Sequence, residues 1–168
     1  TLPFLFVQLP NFNYSDNSTI EFVREAQLSA YKNIPNTGMA VTLDIGNDNN
    51  IHPGNKDITA YRLALHAKHF LGVLGDNDVY SSPIYNSYEI KDNKVIVTFD
   101  HVGTGLKTKD GADPLAFTIC GEDGVFVQAQ AKIISANQVE VWSDEVSAPV
   151  AVRYAWLDIP VINLVNSA

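Results

Sequence analysis

Phe4-Leu5-Phe6-Val7-Gln8-Leu9 is an almost unbroken apolar run of strand length, closed by Pro10. A strand buried on both faces needs no alternation of polar and apolar residues, so this run reads as an interior strand of a parallel sheet. The residues after it continue in that sense. Ser18-Thr19-Ile20-Glu21 has the spacing of a capping box, which predicts a helix running to about Lys32 with Ile20, Val23, Ala30 and Tyr31 on its buried side. Pro35 stops it. A second apolar run, Gly38-Met39-Ala40-Val41-Thr42-Leu43-Asp44-Ile45, is followed by a loop over 46–56. A second helix is then expected from Asp57 to Leu74, burying Ile58, Tyr61, Leu65 and the Leu63, Phe70, Leu74 group, with Gly75 placed to end it. Strand, helix, strand, helix is a βαβα unit, which builds a parallel sheet covered by helices.

Two strands fall short of the roughly four to six that a sheet usually holds. Residues 1–80 are therefore expected to be the C-terminal part of an α/β domain that begins before Thr1. From about Ser81 the period changes. Lys94-Val95-Ile96-Val97-Thr98-Phe99, Gln138-Val139-Glu140-Val141-Trp142 and Val150-Ala151-Val152-Arg153-Tyr154-Ala155-Trp156 alternate, and Asp92-Asn93, Asp110-Gly111 and Asp123-Gly124 supply turns. Residues 81–168 should form a small antiparallel, sandwich-like β domain, with Val150, Val152, Tyr154 and Trp156 on one face. The fold class expected is thus α/β plus β.

Composition excludes several functions. Nineteen acidic against 11 basic residues give a net charge of -8 with no Lys/Arg cluster, which disfavours nucleic acid as a partner. No apolar run approaches the roughly 20 residues of a membrane span. The single cysteine, Cys120, forbids an internal disulfide and a multi-cysteine zinc site, and its apolar setting reads as core.

In open α/β sheets ligands sit beyond the carboxyl ends of the strands, which directs attention to the loops after Leu9 and Ile45. The second loop, Asp44-Ile45-Gly46-Asn47-Asp48-Asn49-Asn50-Ile51-His52-Pro53, places acids close to a histidine just before a helix. A carboxylate that orients an imidazole and stabilises its protonated form suits general-base work on a serine. A turn-rich surface loop with an incidental histidine has the same composition. Gln8 and Asn11 are candidates to line a pocket, or simply turn residues. His66 and His69, three apart on the second helix, lack an evident third metal ligand, and the 44–50 loop lacks the Gly and terminal Glu of an EF-hand. Asn13-Tyr14-Ser15 and Asn17-Ser18-Thr19 are formal glycosylation sequons. Trp142 and Trp156 read as core from their strand alternation.

Asn50-Ile51-His52-Pro53-Gly54-Asn55-Lys56, with Tyr61-Arg62-Leu63-Ala64-Leu65, resembles the catalytic-histidine block of the sialate O-acetylesterase family, within the SGNH-type esterases. Phe6-Val7-Gln8-Leu9, Arg24-Glu25-Ala26-Gln27, Asn36-Thr37-Gly38-Met39-Ala40-Val41, Phe99-Asp100-His101-Val102-Gly103-Thr104-Gly105-Leu106 and Val152-Arg153-Tyr154-Ala155-Trp156 are similar to that family in the same order. The resemblance implies acyl transfer without a cofactor. A serine attacks an acetyl carbonyl of an O-acetylated sugar, a histidine is base and then acid, and an oxyanion hole holds the intermediate. His52 maps onto the histidine. The family's serine block has no counterpart among the ten serines here, so the nucleophile is expected in a missing N-terminal part of the same protein and this chain alone should not turn over an ester. Asn49 and Asn50 occupy the positions where such esterases place an acid. Asp48 is then the nearest carboxylate, Asp44 the reserve, and a backbone carbonyl the third choice. The resemblance further implies a secreted, periplasmic or lysosomal location. A non-catalytic carbohydrate-binding or structural module is the competing expectation.

Overall fold

The computed structural model describes residues 2–14, 19–52, 54–75 and 78–167. It divides into two compact units, Thr1–Ser81 with Leu157–Pro160, and Ser82–Trp156 with Val161–Ala168. The return of Leu157–Pro160 to the first unit has no signature in the hydrophobic pattern.

In the first unit, β1 (Phe4–Val7), α1 (Ile20–Asn33), β2 (Thr37–Ala40) and α2 (Lys56–Phe70) follow in order, and β1 pairs with β2 in parallel from Phe4↔Thr37 to Val7↔Ala40. The strands are shorter than predicted because side chains take over from the ladder beyond them. The Gln8 amide still donates to the Ala40 carbonyl, but the Gln8 carbonyl accepts from Thr42 Oγ1 at 2.6 Å and the Leu9 amide donates to Gln27 Oε1 at 3.0 Å. Gly38 is where β2 and α2 meet. A Cβ there would lie 2.7 Å from Leu5 Cδ2 and 2.9 Å from His66 Cβ.

The buried faces of both helices differ from the predicted ones. On α1, Ile20 is buried as expected but Val23 is exposed, and Arg24 takes the inner position at 5% exposure. Its guanidinium donates to the Leu157 carbonyl, a long-range hydrogen bond that apolar periodicity does not register. On α2, Tyr61 is exposed and His66 is buried at 1%, with Nε2 donating to the Met39 carbonyl at 2.9 Å. The helix ends before Leu74. Gly72 adopts φ +66° after the cap Leu71, and the Val73-to-Lys68 and Gly72-to-His69 backbone bonds form a Schellman motif, so Gly72 rather than Gly75 ends the helix. Thr19 precedes α1 without a side-chain capping bond; Ser18 of the predicted capping box, like Ser15 and Asn17 of the sequons, lies outside the described residues.

The second unit is antiparallel. β3 (Ile84–Lys91), β4 (Lys94–Asp100), β9 (Gln138–Trp142) and β8 (Gln130–Ser135) form one sheet in the order β3-β4-β9-β8. β6 (Phe117–Cys120) lies between β10 (Ala151–Tyr154) and β7 (Val127–Gln128) in a second, and β5 (Lys107–Thr108) pairs with β11 (Leu164–Val165). Val95, Val97, Phe99, Val139, Val141, Phe117 and Ile119 join both larger sheets in one core, each burial contributing about 1.5–3 kcal/mol. Cys120 is buried and reduced. The turns behave as their residues require: Asp92, Gly111 and Gly124 all have positive φ. Asn163 locks the 110–115 loop, donating to Asp110 Oδ1 and the Asp113 carbonyl and accepting from the Leu115 amide. The Asn163 bond, with that of the Ala112 amide, holds the Asp110 carboxyl below its ordinary pKa.

One predicted face is broken. Val152 and Tyr154 pack on the core, but Val150 is 40% exposed and Ala155 takes φ +53°, which interrupts the alternation before Trp156. The Trp156 ring lies against Arg153, a residue of the opposite face.

Candidate active site

The loops that leave β1 and β2 at their carboxyl ends are fastened to one another. Asn11 Nδ2 donates to Asp48 Oδ1 at 3.0 Å, and the Asn13 amide donates to the Asp48 carbonyl at 3.0 Å. Gly46 permits this approach, since a Cβ on it would sit 2.0 Å from Asn11 Oδ1 and 2.6 Å from the Asn11 carbonyl. Within the second loop, Asn47 Oδ1 accepts from the Asn49 amide at 2.8 Å and Asn50 Oδ1 accepts from the His52 amide at 2.9 Å. These are Asx turns, the local chemistry for which asparagine is suited. Asn55 then caps α2 by accepting from the Ile58 amide. The run of asparagines thus folds the segment that delivers His52 to the surface immediately before a helix.

His52 is exposed, and among the described residues no carboxylate is hydrogen-bonded to its imidazole. Asp48 is brought together with Asn11 instead. Asp44 is committed elsewhere, in a two-point ion pair with Arg62 at 2.6 and 2.7 Å, while Arg62 also donates to the Val41 carbonyl. That fork binds α2 to the end of β2 and engages both carboxylate oxygens of Asp44.

Gln8, a predicted pocket residue, is buried at 7%, its amide group donating to the Arg24 carbonyl at 3.3 Å. Its place is beneath the loops rather than on their surface. Asn11 stands between the two loops, and its Oδ1 and the hydroxyl of Tyr14 are buried without a hydrogen-bond partner among the described residues. Burial raises the Tyr14 pKa, which keeps the phenol protonated and able to donate. Sequence reasoning did not single out Tyr14, nor Gln27, which brackets the end of β1 by donating to the Val7 carbonyl at 3.2 Å and accepting from the Leu9 amide. The Arg24 and Gln27 bonds give the Arg24-Glu25-Ala26-Gln27 block a concrete role, since both residues fix the strand end that feeds the first loop. His69 stacks on Tyr80 with ring centroids 3.8 Å apart, and no group of three metal-ligating side chains occurs among the described residues. No helix among them is long and apolar enough to cross a membrane. His101 has φ +57° and its carbonyl accepts from Asn166, a turn-forming position in the second unit.

No protein-family model and no curated protein matches the chain. Among solved structures it is similar to a carbohydrate acetylesterase from Xanthomonas citri, with a TM-score of 0.89 and 39% sequence identity over 98% of this chain. The match covers 38% of the length of that protein. Over nearly all of its own residues, then, the chain is related in sequence and structure to part of a carbohydrate acetylesterase.

Proposed function

We propose that this chain is the histidine-bearing portion of a serine esterase that removes acetyl groups from a sugar, of the sialate O-acetylesterase-like, SGNH type. The observation that carries the reading is the position of His52: it projects from a loop at the carboxyl end of a parallel strand pair, folded by Asx turns and fastened to the neighbouring loop. The likeness to a carbohydrate acetylesterase supplies the reaction class. In this reading His52 takes the proton of a serine as it attacks the acetyl carbonyl, then returns it to the departing sugar hydroxyl. Asp48 serves by holding the loop through Asn11. The nucleophile and the oxyanion donors come from polypeptide additional to these 168 residues. An incomplete sheet supports that part of the reading: β1 pairs on one side only among the described residues, with Leu2, Phe4, Phe22 and Val23 exposed on the unit that carries it.

Acetate release tests the proposal. The complete gene product should liberate acetate from an O-acetylated oligosaccharide, and the 168-residue chain alone should not. Absence of acetate release by the complete product, on aryl acetates as well as on acetylated sugars, would contradict the esterase reading.

A further inference from the structure

We infer that the outer face of the β10-β6-β7 sheet is a binding site for a sugar that carries a carboxylate, with Arg153 as its anchor. The ladder register sets Arg153 opposite Thr118 and Thr118 opposite Gln128. Directly opposed residues share a face, so these three polar side chains form a row across three strands. Their neighbours Val152, Ile119 and Val127 point the other way, into the core. The row spans two inter-strand steps, about 10 Å, the reach of a sugar ring with its substituents.

Arg153 is held in an unusual manner. Its guanidinium carbon lies 3.8 Å from the centroid of the Phe126 ring and 4.7 Å from that of Trp156. Contact with two rings restrains the cationic group, whose N–H donors lie at its edge and can still meet a ligand. No hydrogen bond or ion pair joins Arg153 to another described residue, and none engages the Thr118 hydroxyl or the Gln128 carboxamide. Arg153 is half-buried, and its donors are not committed to another described residue. A guanidinium fork restrained by two rings and not engaged by another described residue matches a carboxylate, which it binds through two parallel bonds. Thr118 and Gln128 add a hydroxyl and an amide beside it for sugar hydroxyls, and the edges of Phe126 and Trp156 offer an apolar border to a pyranose ring. The positive φ of Ala155 is what brings Trp156 to this face.

The inference stands apart from the hydrolase reading, and binding alone tests it. The 168-residue chain is titrated with sodium glucuronate, and in parallel with glucose and with inorganic phosphate, following backbone amide shifts by NMR. Glucuronate should bind saturably and shift the amides of Thr118, Gln128 and Arg153, at least about tenfold more tightly than glucose, which has the same ring without the carboxylate. Arg153→Lys keeps the charge but not the fork and should weaken glucuronate about tenfold. Gln128→Ala alters only an exposed side chain and should weaken it severalfold with the fold intact. Equal affinity for glucose, equal affinity for phosphate, or no saturable binding overturns the site. If Arg153→Lys unfolds the unit, Gln128→Ala decides alone, and unchanged affinity in that variant likewise overturns it.

Discussion

Replacing His52 by Ala in the complete gene product should lower kcat/KM for an aryl acetate by roughly 10³-fold or more, since the serine loses the base that takes its proton. Stability should hardly change. The imidazole is exposed, and the bond that shapes the loop runs from the His52 backbone amide, which alanine retains. Asp48→Asn supplies the comparison. Asparagine keeps an acceptor for Asn11 Nδ2, so a residue that only fastens the loop should tolerate the change within about tenfold. A carboxylate that orients the catalytic imidazole costs about 10⁴-fold when so replaced. A near-normal rate in His52→Ala removes His52 from the mechanism, and a 10⁴-fold loss in Asp48→Asn shows that the carboxylate turns to the imidazole during catalysis.

Arg24→Ala should be the most damaging single change to the first unit, at about 2–4 kcal/mol. It deletes a buried side chain, strands the Leu157 carbonyl and loosens the helix position whose own carbonyl accepts from Gln8. Burial also depresses the Arg24 pKa, against the pull of Glu21 and Asp158, so the folded state already bears a desolvation cost for this cation. Arg24→Met fills the volume without that cost and should be milder than Arg24→Ala. Both helices lie in the first unit and both tryptophans in the second, so ellipticity at 222 nm and tryptophan fluorescence follow different units during urea unfolding. The alanine variant should move the helical midpoint to lower urea. An unchanged helical midpoint would show that Arg24 is not holding Leu157 in place.

These two residues also mark what the sequence could and could not disclose. The parallel pairing of β1 with β2, both helices and the antiparallel character of the second unit follow from periods that local burial imposes. Periodicity equates buried with apolar, and it fails where a buried polar side chain is hydrogen-bonded to a distant backbone group. Arg24 reaches Leu157 across 133 positions, and His66 reaches Met39 across 27. Val23 and Tyr61, apolar and on the predicted inner faces, are exposed instead.

At the candidate site, His52 draws attention in the sequence because a helix-leading loop and family-like neighbours surround it. What its side chain would meet is not legible there. Asp48 is near in sequence, but whether it meets the imidazole depends on Asn11, which arrives from the other loop. Gln8 illustrates the converse: placed at a strand end, it reads as a pocket residue, and yet it turns inward to the Arg24 carbonyl.

The most direct test of the central claim is the residue labelled when the complete gene product is inactivated by a fluorophosphonate. His52 as base for a nucleophile supplied from outside these 168 residues predicts a single phosphonylated serine lying elsewhere in the polypeptide, with labelling lost in His52→Ala. Label on one of the ten serines present here, or labelling indifferent to His52, would contradict it.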